Sequence, residues 1–512
     1  MYRIGIDVGG TNTDAVLMRG REVVFGTKTA TTGDVTRGVL AALTRVLGET
    51  KIAPDDISAV MIGTTHFTNA VVERRELSRV GVLRLALPSS ADLPPLSGRP
   101  ADLVENINPL VRLSAGGYEF DGREISPLDS VSILRFAEEC AQAAIRHVAI
   151  SGIFSPIAPE QEMKAAVLVR SALPDAHVTL SSSLGNLGLL ERENASILNA
   201  ALVALGARIS RAFSEALRSA GINAPFFLTQ NDGTLIAAER IADFPILTVA
   251  SGPTNSMRGA AFLSGTKDAI VVDIGGTTSD IGMLQKGFPR MAGVAVEVGG
   301  VRTNFRMPDV LCIGLGGGSH VDLLSRTVGP RSVGYRLLNE ALVFGGNTLT
   351  ASDIAVAAGI ASFGEKSYVA HLNDADVAAC LHSMQEKVAS AVDRMRVSGA
   401  PVPVLIVGGG SVLLSGDVGS LPTVRPASFD VANAVGAAIA QIGSEVDHVY
   451  RLSDISREAA IADPSAKCRQ KVLDEGGVPE SIATIDVEET PLAYLSGQAT
   501  RIRVKMVGDL RL

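Results

Sequence analysis

The 512 residues are enough for two to four domains, and 46% hydrophobic residues with 52 glycines suit an α/β protein with buried strands and many short turns. A net charge of −8, no long Lys/Arg run and no Trp argue against a nucleic-acid partner. We read no leader segment and no run of 18 apolar residues, and the four cysteines form no CxxC pair. We therefore expect free thiols, a cytoplasmic location and no membrane contact.

Apolar patterns between Gly and Pro residues predict alternating strands and helices. The predicted strands are 4–8, 13–19, 22–29, 57–62, 79–87, 148–151, 178–181, 226–229, 310–313, 402–407, 483–487 and 501–507, with a strand–turn–strand unit at 271–284. The predicted helices are 36–47, 131–144, 160–173, 189–219, 374–397 and 432–441. Residues 88–111 are expected to be irregular, and 112–123 to form a hairpin. We expect domains at 1–187 and 188–445, and a C-terminal segment, 446–512, whose two strands pack back on the core.

One pattern occurs twice, once in each half of the chain. Residues 4–17 read IGIDVGGTNTDAVL and residues 271–284 read VVDIGGTTSDIGML, so an acid, a Gly-Gly-Thr turn and a second acid recur in the same order. Glycines permit a tight turn and let backbone N–H groups approach a phosphate closely. We therefore predict nucleotide phosphate contacts at Gly9, Gly10, Thr11, Asn12, Thr13, Gly275, Gly276, Thr277 and Thr278.

The first acid of each copy, Asp7 and Asp273, ends a predicted buried strand. A carboxylate there is well placed to hold Mg²⁺, directly or through water. The alternative is two structural hairpins whose carboxylates cap the turns, and the duplication weighs against it. The sequence contains neither a GxxxxGK[ST] loop nor a GxGxxG motif opening the first helix, so neither of those nucleotide sites is expected.

Other loops follow predicted strands, where ligands lie in α/β sheets. The glycines Gly408, Gly409 and Gly410 are predicted to contact the α-phosphate, ribose or adenine. The GLGGGSH loop at 314–320 is either an anion or substrate nest of N–H groups or a flexible turn. We predict substrate contacts from Thr64, Thr65, Asn69, Asn231, Gly317, Ser319 and His320. His66 is a candidate catalytic residue, with a helix-capping or space-filling histidine as the alternative.

The paired Asp-x-Gly-x-Thr turns resemble those of the actin/sugar-kinase/Hsp70 superfamily. The whole chain, moreover, resembles the hydantoinase/oxoprolinase family, in particular its A-type, ATP-binding subunit. Besides the two repeated motifs, the resemblance rests on GTTHFTNAVVERR, LERENASILNAAL, ASGPTNSMRGAA, GLGGGSH, VGGGSVLL and PLAYLSG, in the family's order. It implies an α/β fold with two actin-like (ribonuclease H-like) domains, whose duplicated phosphate-binding hairpins enclose a nucleotide cleft.

The resemblance also implies ATP and Mg²⁺ as cofactors and chemistry on an amide or carbonyl. Some members of the family hydrolyse lactams, hydantoins or 5-oxoproline, and relatives carboxylate ketones. In each case ATP is thought to phosphorylate a carbonyl oxygen or bicarbonate. A-type subunits commonly work with a B-type partner, so a homo- or hetero-oligomer is expected.

The sequence departs from the family pattern at several positions. The chain is shorter than the long A-type subunits, and its first turn has Thr11-Asn12-Thr13-Asp14 where Thr-Phe-Thr-Asp is usual. Residues 252–256 read GPTNS where Gly-Pro-Ala-Gly-Gly is common, and His66 and His320 replace apolar residues. These departures leave ATP binding expected but the substrate open. One hypothesis is that the two histidines meet in the cleft, as an acid–base pair or as metal ligands.

Three functions remain in competition. The first is ATP-dependent hydrolysis of a cyclic amide, and the second is a subunit of an ATP-dependent carboxylase. The third is a nucleotide-dependent activator ATPase that remodels a protein partner. The repeated turns do not distinguish them. ATP hydrolysis stimulated by a small molecule would favour an enzyme, and stimulation only by a protein would favour the activator.

Overall fold

A computed structural model describes residues 1–31, 35–185, 187–292, 296–304, 307–397, 399, 401–493, 495 and 497–511. Its α-helices are Val35–Thr50, His66–Glu73, Ala101–Ile107, Ser130–Gln142, Glu160–Ala172, Leu189–Ser219, Ser251–Ser264, Leu337–Glu340, Ala351–Ala357, Asp374–Met395, Ala432–Ala438 and Arg457–Asp474. Of the PLAYLSG motif at 491–497, Tyr494 and Ser496 lie outside the described residues.

The largest sheet has nine strands drawn from the start, middle and end of the chain. Their spatial order is Ala483–Pro491, Ala499–Gly508, Gln441–Arg451, Thr234–Ala237, Phe226–Thr229, Ile57–Thr64, Tyr2–Val8, Asn12–Arg19 and Glu22–Ala30. Tyr2–Val8 pairs antiparallel with Asn12–Arg19 and parallel with Ile57–Thr64. The start of the chain therefore contributes a hairpin to the interior of this sheet.

A second sheet repeats that arrangement. Its strands are Phe288–Pro289, Ser279–Gln285, Ala269–Ile274, Val404–Val407 and Thr423–Val424, with Val310–Ile313 paired to Ser279–Gln285. Ala269–Ile274 again pairs antiparallel with the strand that follows it and parallel with a later one, Val404–Val407. The sequence duplication is thus a duplication of strand pairing.

Three smaller sheets complete the fold. A parallel sheet has the order Leu110–Ala115, Val80–Leu87, His147–Gly152 and His177–Leu180, and helices Ser130–Gln142 and Glu160–Ala172 pack on it. The two-stranded sheets are Val296–Val298 with Val301–Thr303 and Ser319–Asp322 with Thr327–Ser332.

Helix Leu189–Ser219 lies in the core that joins the first sheet to the parallel sheet. Among the described helices it is the one that meets the length and composition needed to cross a membrane, with a mean hydropathy of 1.2. Because 67% of that apolar window is buried inside the protein, the core explains its composition.

Helices Ser251–Ser264 and Ala432–Ala438 cross in backbone contact, which two glycines permit. A Cβ on Gly259 would lie 1.9 Å from the carbonyl oxygen of Ala432, and one on Gly436 would lie 1.8 Å from that of Asn255. Side chains at these positions would force the helices apart. The crossing brings Asn255 and Ser256 of the first helix beside Asn433 and Gly436 of the second.

Most predicted elements are confirmed to within a few residues, but two expectations need correction. The irregular stretch 88–111 contains helix Ala101–Ile107. The hairpin expected at 112–123 is wrong in its first half, where strand Leu110–Ala115 pairs parallel with Val80–Leu87. Its second half does turn back on itself, since Tyr118 and Glu124 form an antiparallel bridge and the Glu119 N–H donates to the Arg123 carbonyl at 2.7 Å.

The C-terminal region contains the two predicted strands, Ala483–Pro491 and Ala499–Gly508, which join the first sheet. It also contains strand Gln441–Arg451 and helix Arg457–Asp474. The boundary predicted at 445 falls inside that strand, and the one at 187 falls just before the long helix. The domain limits themselves stay predictions.

Candidate functional site

The two repeated motifs form hairpins in the same register. In the first hairpin Asp7 lies opposite Asp14, and the Gly9 N–H donates to the Asn12 carbonyl at 3.0 Å. In the second hairpin Asp273 lies opposite Asp280, and the Gly275 N–H donates to the Thr278 carbonyl at 2.9 Å. We call residues 9–12 the first turn and 275–278 the second turn.

The two turns face each other at their tips. A Cβ on Gly276 would lie 3.3 Å from Oγ1 of Thr11, while one on Gly10 would meet nothing within 4 Å. Within the described chain, the N–H groups of Gly10, Thr11, Gly276 and Thr277 donate to no protein acceptor. Unused N–H groups on opposed glycine turns can bind phosphate oxygens from two sides.

Asp7 and Asp273 are held by amide and hydroxyl groups from the crossing helices. Asn255 and Asn433 each place Nδ2 near Asp7, at 3.5 and 3.4 Å. The Ser256 hydroxyl lies within hydrogen-bonding distance of the Asp273 carboxylate and 2.7 Å from Oδ1 of Asn433. The helix crossing therefore gathers both acids around one set of neutral partners.

Burial raises the pKa of Asp7 and of Asp273, because removing a carboxylate from water disfavours its charged form. The Asn433 and Asn255 amides oppose the shift at Asp7, as the Ser256 hydroxyl does at Asp273. The proximity of the Asp273 carboxylate raises the pKa of Asp7 further. Such a pair favours a cation, which would offset both charges.

The second acid of each hairpin adds to this negative field. Burial raises the pKa of Asp14 to about 7, and burial together with Asp273 raises that of Asp280 to about 6. Lys28 Nζ lies 2.6 Å from Oδ2 of Asp14, but the buried Oδ1 of Asp14 has no donor within the described chain. This is an acidic site with one nearby lysine and an unused carboxylate oxygen.

Sequence reasoning missed Lys28, Asn255, Ser256 and Asn433 as site residues. Lys28 could have been identified as a site residue only from the strand register that places it opposite Asp14. The other three are signalled only by the crossing of helices that are distant in sequence.

The acids fit Mg²⁺ as one or two carboxylate ligands that leave coordination sites for water and phosphate. Within the described ranges, no group of three or more His, Cys, Asp or Glu side chains is arranged to hold a metal. A metal here would thus depend on Asp7, Asp273 and the phosphates, which is the usual arrangement for Mg²⁺ with a nucleotide. The unused Oδ1 of Asp14 supports the same donor chemistry.

The glycine loop at 408–410 lies directly against the second turn. A Cβ on Gly408 would lie 2.2 Å from Oδ1 of Asp273, and one on Gly410 would lie 2.7 Å from the Gly275 carbonyl. A Cβ on Gly409 would be 3.6 Å from Cε of Lys28, so this loop also meets the first sheet. Its predicted contact with the nucleotide is consistent with this position beside both hairpins.

The glycine loop at 314–320 has a different role from the expected nest. The Gly316 N–H donates to Oγ of the buried Ser319, while those of Gly317 and Gly318 donate to the carbonyls of Gly275 and Gly276. All three donors are therefore engaged, and the expectation of free N–H groups is wrong. The loop instead holds the second turn in place through the hydrogen bonds to the Gly275 and Gly276 carbonyls.

The predicted substrate residues occupy different surroundings. Thr64 is buried and places Oγ1 2.6 Å from Nδ1 of His66, while Thr65 donates to the Val8 carbonyl through its N–H at 3.1 Å. Asn69 is exposed on the following helix. This segment thus lies next to the strand that carries Asp7.

The two histidines have different neighbours. Burial lowers the pKa of His66, whose charged neighbours are Glu76 and Arg208. His320 is exposed and bridges to Thr350. Their meeting in the cleft stays a hypothesis.

Asn231 lies past the end of strand Phe226–Thr229. Its backbone N–H donates to the Leu247 carbonyl at 2.7 Å, and its own carbonyl accepts from Oγ1 of Thr254 at 2.7 Å. Asn231 is one of the residues that line a cavity of about 840 Å³.

The paired hairpins and the two matching sheets define an α/β protein of the actin-like ATPase fold. The chain belongs to the hydantoinase/oxoprolinase family. Residues 3–173 match the hydantoinase/oxoprolinase N-terminal region, and residues 192–398 match the family's hydantoinase/oxoprolinase region.

Curated relatives include the caprolactamase subunit alpha of Pseudomonas jessenii, 29% identical over 65% of this chain and 51% of the relative. The acetophenone carboxylase gamma subunit of Aromatoleum aromaticum is 24% identical over 70% of this chain and 53% of the relative. The chain thus spans about half the length of the curated relatives it matches. The crystal structure of the ATP-dependent caprolactamase from Pseudomonas jessenii superimposes with a TM-score of 0.80 at 19% identity, covering 99% of this chain and 88% of that one.

Proposed function

We propose that this chain is the ATP-binding subunit of a hydrolase that opens a cyclic amide such as a lactam, a hydantoin or 5-oxoproline. The observation that carries the proposal is the pair of opposed turns, with unused N–H groups and, behind each turn, an acid whose pKa is raised by burial. Family membership and the caprolactamase relative support this class of substrate.

In this proposal the N–H groups of Gly10, Thr11, Gly276 and Thr277 bind the phosphate oxygens of ATP. Asp7 and Asp273 hold Mg²⁺, which when bound offsets phosphate charge. The Asn255, Asn433 and Ser256 side chains fix the orientation of the two acids, and Lys28 offsets part of the negative field. Catalysis is then mainly positioning and charge neutralisation.

The proposed chemistry begins with the amide carbonyl oxygen. It attacks the γ-phosphorus of ATP, and the bond to ADP breaks. Water then adds to the activated carbon, the ring C–N bond breaks, and phosphate is released by hydrolysis. His66 would act as the acid–base group, since its lowered pKa keeps the imidazole neutral near pH 7.

We further propose that a B-type partner subunit completes the reaction, that the complex is a hetero-oligomer, and that it works in the cytoplasm. The relatives named above are themselves designated alpha and gamma subunits. An ATP-dependent carboxylase is the second candidate, since the acetophenone carboxylase subunit matches a similar share of the chain.

The test is ATP turnover by the purified chain with Mg²⁺ in the presence of ε-caprolactam, hydantoin, 5-oxoproline, or acetophenone with bicarbonate. We expect stimulation by a cyclic amide in the wild type and none in Asp273→Asn. The matched control is Asp268→Asn, which removes an exposed carboxylate just before the same strand.

Stimulation only by the ketone with bicarbonate would select the carboxylase. Stimulation only by a copurifying protein would select the activator ATPase. Unaltered nucleotide binding and turnover in Asp273→Asn would refute the assigned site.

A further inference from the structure

A row of three facing residues crosses the first hairpin. Asp7 lies opposite Asp14, and Asp14 lies opposite Lys28 of strand Glu22–Ala30. Residues directly opposite one another in a sheet share a face, so the two acids and the lysine stand side by side on three adjacent strands. We call these three residues the first row.

The second hairpin has a matching row that lacks the lysine. Asp273 lies opposite Asp280, and Asp280 lies opposite Cys312 of strand Val310–Ile313. Burial, together with the nearby Asp280, raises the pKa of the Cys312 thiol to about 12, so the third member of this row is neutral at pH 7. A hairpin of this kind therefore forms without a cation at the third position, and the strand pairing does not by itself require Lys28.

Lys28 lies where the two halves of the site meet. Its Nζ is 2.6 Å from Oδ2 of Asp14 in the first hairpin. On its other side, a Cβ on Gly409 would lie 3.6 Å from Cε and 4.0 Å from Nζ of Lys28. Gly409 belongs to the 408–410 loop, which packs against the second turn. The ammonium group is therefore located between two segments for which we predict nucleotide contacts.

The ammonium group of Lys28 can take a second ligand. The Lys28 side chain is 29% exposed, so a ligand can reach it from solvent. An ammonium group has three N–H donors, and within the described residues Asp14 is the side chain that accepts from Nζ. Phosphate oxygens suit the remaining donors, because lysine binds phosphate as a compact positive charge.

The charge of Lys28 acts on both halves of the site. It lowers the pKa of Asp7, of Asp14 and of Asp273, in each case against the larger effect of burial. A phosphate that enters between these acids would add negative charge to an acidic site. A cation with free donors at this place favours its entry.

We propose that Lys28 is a phosphate-binding residue, whose Nζ donates to phosphate oxygens of a nucleotide held between the two turns. This inference rests on the proposed function, because it adds a residue to the ATP site described there. It gives Lys28 a direct contact with the ligand, in addition to its pairing with Asp14.

The test is titration of the full-length chain with a fluorescent ATP analogue in EDTA, where no metal contributes to the affinity. We expect Lys28→Met to bind at least tenfold more weakly than the wild type, since a hydrogen bond to a charged group is lost. Lys28→Arg keeps the charge and should stay within about threefold of the wild type. Lys164→Met removes the same charge at an exposed position on helix Glu160–Ala172 and should bind as the wild type does.

A second variant separates phosphate binding from a structural ion pair. Lys28→Met and Asp14→Asn break the same pair, so a structural role predicts equal losses of affinity. A phosphate contact instead predicts that Asp14→Asn binds in EDTA at least as tightly as the wild type, because a negative charge is removed and the lysine stays. Equal losses in the two variants, or unchanged affinity in Lys28→Met, would overturn the assignment.

A double variant guards against loss of the fold. Lys28→Met leaves Asp14 without its cation, whereas Lys28→Met/Asp14→Asn leaves neither charge, and urea unfolding reports the stability of both. The double variant should unfold at the wild-type midpoint or above it, and should bind the analogue at least tenfold more weakly than Asp14→Asn alone. Equal affinity of the double variant and Asp14→Asn would contradict a phosphate contact.

The outcomes distinguish this inference from the proposed reaction. Binding that depends on Lys28, without turnover stimulated by a cyclic amide, would retain the role of Lys28 and refute the reaction. Amide-stimulated turnover together with unchanged affinity in Lys28→Met would retain the reaction and refute the role of Lys28. A wild type that binds the analogue only with Mg²⁺ would also refute that role, because a lysine contact needs no metal.

Discussion

Replacing Gly408 by Ala tests the contact between the glycine loop at 408–410 and Asp273. Gly408 has φ 85° and ψ 160°, a backbone conformation open almost only to glycine. An added Cβ would lie 2.2 Å from Oδ1 of Asp273 and 2.5 Å from the Ile274 carbonyl oxygen. Neither the backbone nor the acid can stay in place in Gly408→Ala.

Two costs add in this variant. The unfavourable φ/ψ region costs about 1–3 kcal/mol, and forcing atoms into a packed site costs about 1–3 kcal/mol. We therefore expect a loss of roughly 4 kcal/mol in the free energy of unfolding. Because Asp273 must move, the affinity for ATP should fall at least tenfold with Mg²⁺ present and much less without it.

The next residue provides the control. A Cβ on Gly409 would meet only Cε and Nζ of Lys28, at 3.6 and 4.0 Å, which is ordinary contact. Gly409→Ala should therefore change the free energy of unfolding by no more than about 0.5 kcal/mol.

Urea unfolding gives the stability of both variants, and titration with a fluorescent ATP analogue, with and without Mg²⁺, gives the affinity. If Gly408→Ala matches Gly409→Ala in unfolding midpoint and in Mg²⁺-dependent affinity, then the loop does not constrain Asp273 as described.

Three further predictions concern pH, packing and the histidine. The pKa of Asp280 is raised to about 6 in the folded chain, so the folded state loses stability as the pH rises through that value and the carboxyl group ionises. In urea unfolding, Asp280→Asn should be more stable than the wild type by roughly 2 kcal/mol at pH 8 and equal to it at pH 4. Equal stability of the two proteins at both pH values would contradict the shift. Gly259→Ala should lower the free energy of unfolding by about 3 kcal/mol or more, because the added Cβ separates the crossing helices. Gly252→Ala lies in the same helix with open space around its Cβ, and its thermal unfolding should match that of the wild type. Equal losses in the two variants would refute the close crossing. If His66 is the base, the acid limb of the kcat/KM profile should lie below pH 6.5 and be absent in His66→Gln, and an unchanged limb would remove His66 from the mechanism.

The sequence specified both repeated hairpins because their signals are local. A Gly-Gly-Thr turn between two apolar runs closes on itself, as the Gly9–Asn12 and Gly275–Thr278 hydrogen bonds show. Repetition of the pattern then indicated two matching units, and the repeat in strand pairing bears this out. The sequence also predicted the long helix Leu189–Ser219, since its apolar and acidic residues fall within one continuous segment.

Where local signals were weak, sequence reasoning failed. Helix Arg457–Asp474 carries many charges and has Pro464 inside it, so its apolar periodicity is faint. The glycines after Leu110–Ala115 suggested a hairpin, but pairing with Val80–Leu87 is a choice between strands that composition does not encode. Sequence reasoning failed at the 314–320 loop for the same reason. The N–H groups of Gly317 and Gly318 donate to carbonyls of the second turn, which lies about forty residues earlier in the chain.

The surroundings of the two acids were decided only by tertiary structure. Asn255, Ser256 and Asn433 reach Asp7 and Asp273 because two helices cross at Gly259 and Gly436, and no local pattern encodes a crossing. The pKa shifts of the acids follow from that packing, because burial and partners are properties of the assembled chain. The chemical groups are thus present in the sequence, while their burial and protonation are decided only when distant segments of the chain pack together.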